Sequence, residues 1–559
     1  MISELKLTIQ NYVNKRIEEM YGVSSSLVTE NPKNPVLGDV AIPSFPLCKV
    51  LRKRPDECAE VVKNILNELN YFSNIEIVNG YVNASYSRVG LSKEVLNNIK
   101  LEKSNDYKGT VCIDYSSPNI AKPFSIGHLR STIIGASLGN ILEYKGYKVV
   151  RIDHLGDFGT QFGKLIYAYK AWGNMEEIEK DPINTLVGLY VKFNQLAEKD
   201  PKLDDEARKI FKELEEGNPE YRELWTKFKN YSLKEFMRMY DLLGVHFDKF
   251  SSEAEASRKS ERILSLLKNK GILVEDQGAM VVFLDDPLPP AIIEKSDGST
   301  LYITRDLEEV HDRYDEFKFD QMLYVVGNEQ SLYFRQVKEV LKRLDAPFES
   351  GVKHVNFGLI LRDGKKMSTR TGTAVKLEDV LNESIRLAKS HIDEKNASLE
   401  NKDEIATKIG VSAIIFNDLK NYRENDYEFD LESATRFEGN TGPYIEYTSV
   451  RIKSIIDQAT IDTNEVDYSL FENDNMFDIV KKLDEFDDTL NKVIEDSAPN
   501  YLAKYLLNLS TSFNSFYAKE RVLVEDSKER NTKLYLLKRI KDVIDLGLTL
   551  LNMSVLEKM

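Results

Sequence analysis

The residues best suited to chemistry fall in two short segments more than two hundred positions apart. The first runs Ser116-Ser117-Pro118-Asn119-Ile120-Ala121-Lys122-Pro123-Phe124-Ser125-Ile126-Gly127-His128. Gly127 has no side chain, so a flat base can approach the backbone closely there. Lys122 and His128 can donate hydrogen bonds to phosphate oxygens as negative charge moves onto a leaving group. The flanking sequence predicts what positions them. Residues 110–115 (Thr-Val-Cys-Ile-Asp-Tyr) have the β-branched and apolar content of a buried strand. Pro118 and Pro123 exclude a regular strand or helix interior through the loop. After Gly127, the residues Leu129, Ile133, Ile134, Leu138 and Ile141 recur at helical spacing. The predicted order is strand, irregular loop, helix, which aims a helix N-terminus at whatever lies above the loop; phosphate is the commonest such ligand. A glycine–histidine pair before a helix carries little by itself. A polar Ser-Ser-Pro-Asn loop between two apolar elements is harder to explain by packing alone.

The second segment is Gly364-Lys365-Lys366-Met367-Ser368-Thr369-Arg370-Thr371-Gly372. It comes after an apolar run, Phe357-Gly358-Leu359-Ile360-Leu361, that reads as a short strand. A glycine-flanked, cation-rich loop after a strand suits a phosphate clamp. Taken alone, a solvated surface loop explains it equally well.

In that order within one long chain, the two segments resemble the signature motifs of class I aminoacyl-tRNA synthetases, and their wording is closest to the arginyl enzymes. The family's ATP-binding pattern His-Ile-Gly-His reads Ser125-Ile126-Gly127-His128 here; serine cannot carry the charge of the missing histidine. Lys366-Met367-Ser368-Thr369-Arg370 is similar to the family's Lys-Met-Ser-Lys-Ser loop, with threonine at the second lysine. Arginyl enzymes often lack that lysine, and a lysine just upstream of the first motif is thought to compensate; Lys122 sits there. The resemblance implies catalysis by Lys122, His128 and Lys366. It implies ATP contacts from Ser125, Gly127, His128, Lys366, Met367 and Ser368, with ATP entering as a substrate with Mg2+ and no protein-bound zinc.

A guanidinium pocket needs carboxylates in fork geometry, because arginine offers planar paired donors and keeps its charge. The candidates are Asp114, at the end of the strand before the first motif, and Asp306 in Leu301-Tyr302-Ile303-Thr304-Arg305-Asp306. Singly, an acid at such a position is more often a turn former or cap. The Tyr-x-Thr-Arg-Asp string resembles the arginyl family's substrate segment. By that resemblance Asn119 and Gln330 hold the amino acid's backbone end, while Tyr302, Asp306 and Asp114 face its guanidinium. The family often has glutamate where Asp114 stands, and Arg305 reads as a salt-bridge partner. A further string, Asp153-His154-Leu155-Gly156-Asp157-Phe158-Gly159-Thr160-Gln161-Phe162-Gly163, is also similar to the arginyl family. Its glycines indicate a tight turn near ligand, and their spacing does not fit Gly-x-Gly-x-x-Gly. It is expected in the active-site floor.

At 559 residues, 42% apolar and 30% charged, the chain reads as a soluble globular protein of three or four domains. No stretch approaches the ~18 apolar residues of a membrane span, and the first residues do not resemble a signal peptide. Cys48, Cys58 and Cys112 are scattered without a Cys-x-x-Cys pair, which argues against a disulfide framework or structural zinc and suits a reducing cytoplasm. A net charge of −15 counts against nucleic acid only superficially, since tRNA binding uses local basic surfaces.

Residues 1–104 read as a small α+β module, with a helical pattern over 1–20 and paired strands at 75–78 and 81–83. The module is similar to the arginyl family's N-terminal domain that touches the tRNA elbow, which makes Tyr81 and Asn83 candidates for tRNA contact; a place in the strand's core is about as good a reading of Tyr81. Residues 105–375 are expected to form a Rossmann-like catalytic domain whose parallel sheet is interrupted by a helical insertion at about 165–270, with Trp172, Trp225, Phe228, Phe236 and Tyr240 as insertion core. The sheet is expected to resume at Val281-Val282-Phe283 and Gln321-Met322-Leu323-Tyr324-Val325-Val326. Residues 376–436 are expected as a helical linker, and 437–559 as a C-terminal all-α anticodon-binding bundle. In that bundle, Leu502, Leu506, Leu509, Phe513 and Phe516 form one apolar stripe, and Leu536, Leu537, Ile540, Val543, Ile544 and Leu548 another. Lys533, Lys538, Arg539 and Lys541 suit either phosphate or an ordinary solvated face.

The expectation is therefore an α/β enzyme of the class I arginyl type, cytoplasmic and monomeric, with tRNA, L-arginine and ATP as partners, no membrane association, and activation that depends on bound tRNA. Two rivals stay open. One is a non-catalytic paralogue that binds tRNA, suggested by Ser125 and Thr369. The other is a nucleotidylyltransferase, which leaves the outer modules unexplained. Amino-acid-dependent activity separates all three.

Overall fold

Thr110–Asp114 is buried at every position, as a strand covered on both faces must be. It lies at the centre of a five-stranded parallel sheet ordered Val352–His354, Gln321–Tyr324, Thr110–Asp114, Lys148–Leu155, Lys249–Ser252. Cys112 pairs in register with both Val150 and Met322, and these side chains enter one core with Ile152, Leu307, Val310 and Val337. The chain winds outward on one side through Lys148–Leu155 and Lys249–Ser252, then returns to build the other side. The order thus reverses beside Thr110–Asp114, and the carboxyl ends of such strands at a reversal form a ligand crevice.

The structure is a computed structural model that describes residues 2–69, 71–285, 287–296, 301–367, 375–396 and 398–559. Two departures from the sequence reading stand out. Val281 and Val282 lie outside the parallel sheet, in a separate antiparallel sheet of Val274–Asp276, Ala279–Val282 and Ala291–Glu294. The cause is local: Gln277 (φ 49°) and Gly278 (φ 83°) both take positive φ, the signature of a tight hairpin that folds the strand back on its predecessor. The stretch expected as insertion holds five helices from Thr160–Trp172 to Pro219–Leu243, but Lys249–Ser252 within it is an edge strand of the main sheet. Phe228, Phe236 and Tyr240 are core, whereas Trp172 and Trp225 are only half-buried.

The chain divides into two compact units. The sheet belongs to the unit of residues 102–447, 492–504 and 547–559. The other comprises 1–101, 448–491 and 505–546. It contains an antiparallel sheet ordered Val40–Pro43, Tyr81–Tyr86, Phe72–Val78, the helix Ile2–Tyr21 and much of the C-terminal helices. Within it, the Tyr535 hydroxyl donates to Asn97 Oδ1 at 2.8 Å, joining segments from opposite ends of the chain. The Phe513 and Ile540 stripes are buried as their periodicity predicts. The cations proposed for phosphate are engaged: Lys533 is buried between Glu520 and Glu529, Lys538 and Arg539 meet Asp542, and Lys541 meets Asp545. Among the described residues no helix is long and apolar enough to cross a membrane.

Candidate active site

The first-motif loop leaves the central strand with a bent backbone. Ser116 (φ 71°), Ser117 (φ 48°) and Ala121 (φ 58°) all take the left-handed region, which costs a non-glycine residue of order 1–3 kcal/mol. The surroundings hold it there. The Ser116 N–H donates to Ser131 Oγ at 2.8 Å, and Ser131 Oγ donates to the Val325 carbonyl at 2.7 Å. Asn119 and Gly156 bridge the loop to the Asp153–Gly163 string, through the Ile120 N–H to the Gly156 carbonyl and the Gly156 N–H to the Pro118 carbonyl, both 3.2 Å. A Cβ at Gly156 would lie 2.2 Å from Asn119 Oδ1, so this close approach requires glycine.

The Ile126–Tyr144 helix begins with Ser125 as its cap. The Ser125 N–H donates to His128 Nδ1 at 3.0 Å, and the Ser125 hydroxyl lies 3.1 Å from the same nitrogen. Nδ1 is therefore an acceptor, and the proton of the neutral imidazole sits on Nε2. Burial, with the nearby Lys122 and Lys366 ammonium groups, pushes the His128 pKa down to about 4. His128 is thus a neutral donor at pH 7. Ser125, the departure from the family pattern, aims it. At Gly127 an added Cβ would meet only Ser125 Oγ, at 3.5 Å, so the protein's own packing makes no demand for glycine there.

The second segment lies beside the first. Phe124 to Ile126 bridges to 375–377, with the Ile126 N–H donating to the Val375 carbonyl at 2.9 Å and the Leu377 N–H to the Phe124 carbonyl at 3.0 Å. Lys365–Lys366 pairs antiparallel with Ile360–Arg362 across a turn at Asp363 (φ 54°) and Gly364 (φ 69°), which places Lys366 at the surface. Met367 is buried, so its side chain anchors the hairpin rather than facing a ligand. Ser368 and Thr369 lie outside the described residues. Arg130 ties the hairpin's sheet to the first-motif helix: buried, it pairs with Asp418 at 3.1 Å and lies 5.1 Å from the Tyr427 ring.

At the carboxyl end of Thr110–Asp114 lies a cluster of acidic and basic side chains. Asp114, expected to face a guanidinium, is occupied: Oδ2 pairs with Arg313 at 2.6 Å and Oδ1 accepts from Ser117 Oγ at 2.9 Å. Its short stem ends against Arg313. Arg313 also pairs with Glu309 at 2.9 Å, and Glu309 with His154 Nδ1 at 3.0 Å. Burial opposes charge on both members of the latter pair. Arg313 and His154 nevertheless hold Glu309 well below the usual carboxylate range, and Glu309 with Asp114 raises His154 to about 10. Asp306 is half-buried, accepts from the Tyr333 hydroxyl and forms no ion pair among the described residues; burial raises its pKa. Its carboxylate, that of Glu309 and a His154 nitrogen fall within 4.8 Å of one another. An imidazolium and Arg313 already supply that cluster's positive charge, which suits it poorly to a metal ion. Tyr302 is exposed, with the Arg305 guanidinium 4.6 Å from its ring and 4.8 Å from that of Phe158; Arg305 also approaches Glu253 at 3.7 Å. Gln330 is exposed at the rim, closing the short turn Asn328–Gln330.

These segments match known proteins over nearly their whole extent. Residues 91–431 match the family described as tRNA synthetases class I (R), catalytic domain. Arginine–tRNA ligases from Enterococcus faecalis and Bacillus thuringiensis are each 45% identical, over 537 and 539 residues, covering 95% of this chain and 95% of theirs. The chain belongs to the class I arginyl-tRNA synthetase family. Residues 5–85 match the arginyl-tRNA synthetase N-terminal domain and 445–559 the DALR anticodon-binding domain. The fold is that of the Thermus thermophilus arginyl-tRNA synthetase (TM-score 0.83, 24% identity, 99% of this chain and 100% of that one). The Plasmodium falciparum enzyme is similar at TM-score 0.81 and 24% identity, covering 99% of each chain.

The sequence reading did not single out Glu309, Arg313 and Tyr333, which the structure places against Asp114 and Asp306. A signal existed: Asp306, Glu309 and Arg313 share one face of the Tyr302–Phe317 helix. They read as a solvated stripe until the pocket turns them inward. The N-terminal candidates fare unevenly. Asn83 is 3% exposed, in mid-strand opposite Ala41 and Glu76. Tyr81 is half-buried, edge-on to Phe45 at 5.7 Å.

Proposed function

We propose that the chain is an arginine–tRNA ligase: it activates L-arginine with MgATP to arginyl-adenylate and pyrophosphate, then passes the arginyl group to the 2′-hydroxyl of its tRNA's 3′-terminal adenosine as the acyl–phosphate bond breaks and AMP leaves. The observation that carries this reading is the junction of 124–126 with 375–377. It supports a site in which His128 Nε2–H acts with Lys122 and Lys366, both near enough to lower the His128 pKa. The arginine carboxylate oxygen attacks the α-phosphorus as the bond to pyrophosphate breaks. The three donors stabilise charge developing on the phosphate oxygens, and catalysis is mainly positioning and electrostatics. Lys122 takes the part that a second lysine in the 366–370 loop would play.

The acidic pocket reads the side chain. Asp114, Glu309 and Asp306 set three carboxylates against two cations, Arg313 and the His154 imidazolium. The single excess negative charge, on Asp306, is balanced by a guanidinium. Tyr302 covers it, and Asn119 and Gln330 hold the amino acid's backbone end. Residues 1–104 and 437–559 supply tRNA-binding surfaces to a catalytic domain at 105–375, with 376–436 as a helical link. The enzyme acts as a cytoplasmic monomer, needs no zinc, and activates arginine only with tRNA bound.

Radioactive pyrophosphate exchange into ATP, run with each amino acid with and without tRNA, tests this. Exchange with arginine only in the presence of tRNA is expected. Folded protein that shows no exchange with any amino acid overturns the reading in favour of a non-catalytic paralogue.

A further inference from the structure

One helix, Pro219–Leu243, meets both the first-motif loop and the Asp153–Gly163 string of the candidate active site. Trp225 Nε1 donates to the Asp157 carbonyl at 3.0 Å, and Lys229 pairs with the Asp157 carboxylate at 2.7 Å. Arg238 pairs with Glu378 at 2.7 Å, just past the second motif. The Tyr240 hydroxyl lies 2.8 Å from Ser116 Oγ and donates to Asp153 Oδ2 at 2.8 Å. Ser232, fully buried, accepts from the Ala121 N–H at 2.9 Å. Two of these contacts fall on the left-handed residues Ser116 and Ala121.

The Ser232 contact bears on chemistry through Lys122, the immediate neighbour of Ala121 in the chain. Ser232 donates its hydroxyl proton to the Phe228 carbonyl at 2.8 Å, one turn back, which leaves its oxygen lone pairs for Ala121. Ala121 is 9% exposed, so its N–H has no ready alternative in water. An alanine released from this bond would leave the left-handed region, which its Cβ disfavours. Pro123 in turn restricts Lys122 to extended backbone. The direction in which Lys122 leaves the loop is therefore set by the conformation of Ala121.

We infer that Ser232 is a positioning residue for activation: by holding Ala121 left-handed it aims Lys122 at the phosphates, and the Pro219–Leu243 helix is the brace that keeps the first-motif loop in its reactive shape. The inference rests on the ligase reading above. Ser232 touches no reacting atom, and its effect is separable from arginine binding, which uses other residues.

The test compares wild type with Ser232→Ala, Ser232→Thr and the double variant Ser232→Ala/Ala121→Gly as full-length chains, in tRNA-dependent pyrophosphate exchange and thermal unfolding. A misplacement near 1 Å costs about 100-fold, so Ser232→Ala is expected to lower kcat by roughly 10- to 100-fold with the arginine KM unchanged. Threonine also bonds the carbonyl one helical turn back, so Ser232→Thr is expected to keep kcat. Glycine adopts positive φ freely, so the double variant is expected to recover much of the loss even where its melting temperature stays below wild type. Active wild type with an unaffected Ser232→Ala overturns the inference alone. So does a Ser232→Ala loss that neither threonine nor the glycine partner restores, or one matched by an equal rise in the arginine KM. A wild type inactive with arginine overturns the ligase reading and this inference together.

Discussion

Asp306→Asn isolates a carboxylate of the acidic cluster that forms no ion pair among the described residues. In the ligand-free protein Asp306 accepts a hydrogen bond from Tyr333, while Asp114 and Glu309 have their own cations. Removing it should therefore cost arginine binding and little else. Truncating one partner of a buried, hydrogen-bonded charge pair costs about 2–5 kcal/mol. Asp306 is only half-buried, so the low end applies: about 2–3 kcal/mol, or roughly 30- to 150-fold in the arginine KM. The stability effect has the opposite sign. Burial raises the Asp306 pKa, so between the unfolded carboxyl value of ~3.9 and the raised one the folded state holds more protons. Stability then declines as pH rises through that window, and the deficit persists above it. Asparagine is never charged, so the variant should melt at or above the wild-type temperature at neutral pH. Arginine favours the ionised carboxylate and expels the proton; the wild-type arginine KM should fall as pH rises through the same window, and the variant's should not. Steady-state exchange at varied arginine and ATP, with calorimetric melting, measures both. An unchanged arginine KM, or an ATP KM that rises equally, would refute the charge assignment.

His128 is held neutral with a pKa of about 4, so kcat for exchange should show no acidic limb near the ordinary histidine value of ~6.5; a limb there would contradict the Nε2–H donor role. Between those two values the unfolded chain binds more protons, so His128 also makes stability fall as pH drops through that window, which unfolding titrations of wild type and His128→Gln can separate. Arg130→Met strands the buried Asp418 carboxylate and should cost about 3–5 kcal/mol in thermal unfolding. Arg130→Met/Asp418→Leu should recover most of it, and no recovery would mean that the pair is not what the site requires. Gly156→Ala drives a Cβ to 2.2 Å from Asn119 Oδ1; it should cost about 1–3 kcal/mol and raise the arginine KM, whereas a normal KM would remove Asn119 from substrate binding.

The parts of this fold legible in the sequence are its regular apolar elements. The Thr110–Asp114 strand announces itself by an unbroken β-branched and apolar run that is buried at every position. The helix after Gly127 and the two C-terminal stripes do so by apolar residues recurring every third to fourth position. The polar interior has no period. Each buried ionic group must find its partner, and that information resides in pairs of distant residues. Asp114 and Arg313 are a strand end and a helix residue, with nothing in either neighbourhood to link them. The same holds for Arg130 and Asp418, and for the bridge between Ser125 and Lys376. Local turn chemistry was the other blind spot: the positive φ at Gln277 and Gly278 removed Val281 and Val282 from the parallel sheet despite their strand-like composition.

The pairs also change what the motif residues can do. A carboxylate at 114 suggests a hook for a guanidinium, yet both its oxygens are engaged, by Arg313 and Ser117. Arg313 takes Glu309 as well, and Glu309 neutralises His154. The unmatched charge is thereby displaced one helical turn along Tyr302–Phe317, to Asp306. Under the proposed ligase reading, Asp114 would act on arginine indirectly, by fixing the cation that ties up Glu309. Lengthening it to glutamate should disturb Arg313 before it offers the substrate a second carboxylate. Asp114→Glu is therefore expected to raise the arginine KM rather than lower it, and a lowered KM in exchange assays would show that position 114 reads the guanidinium directly.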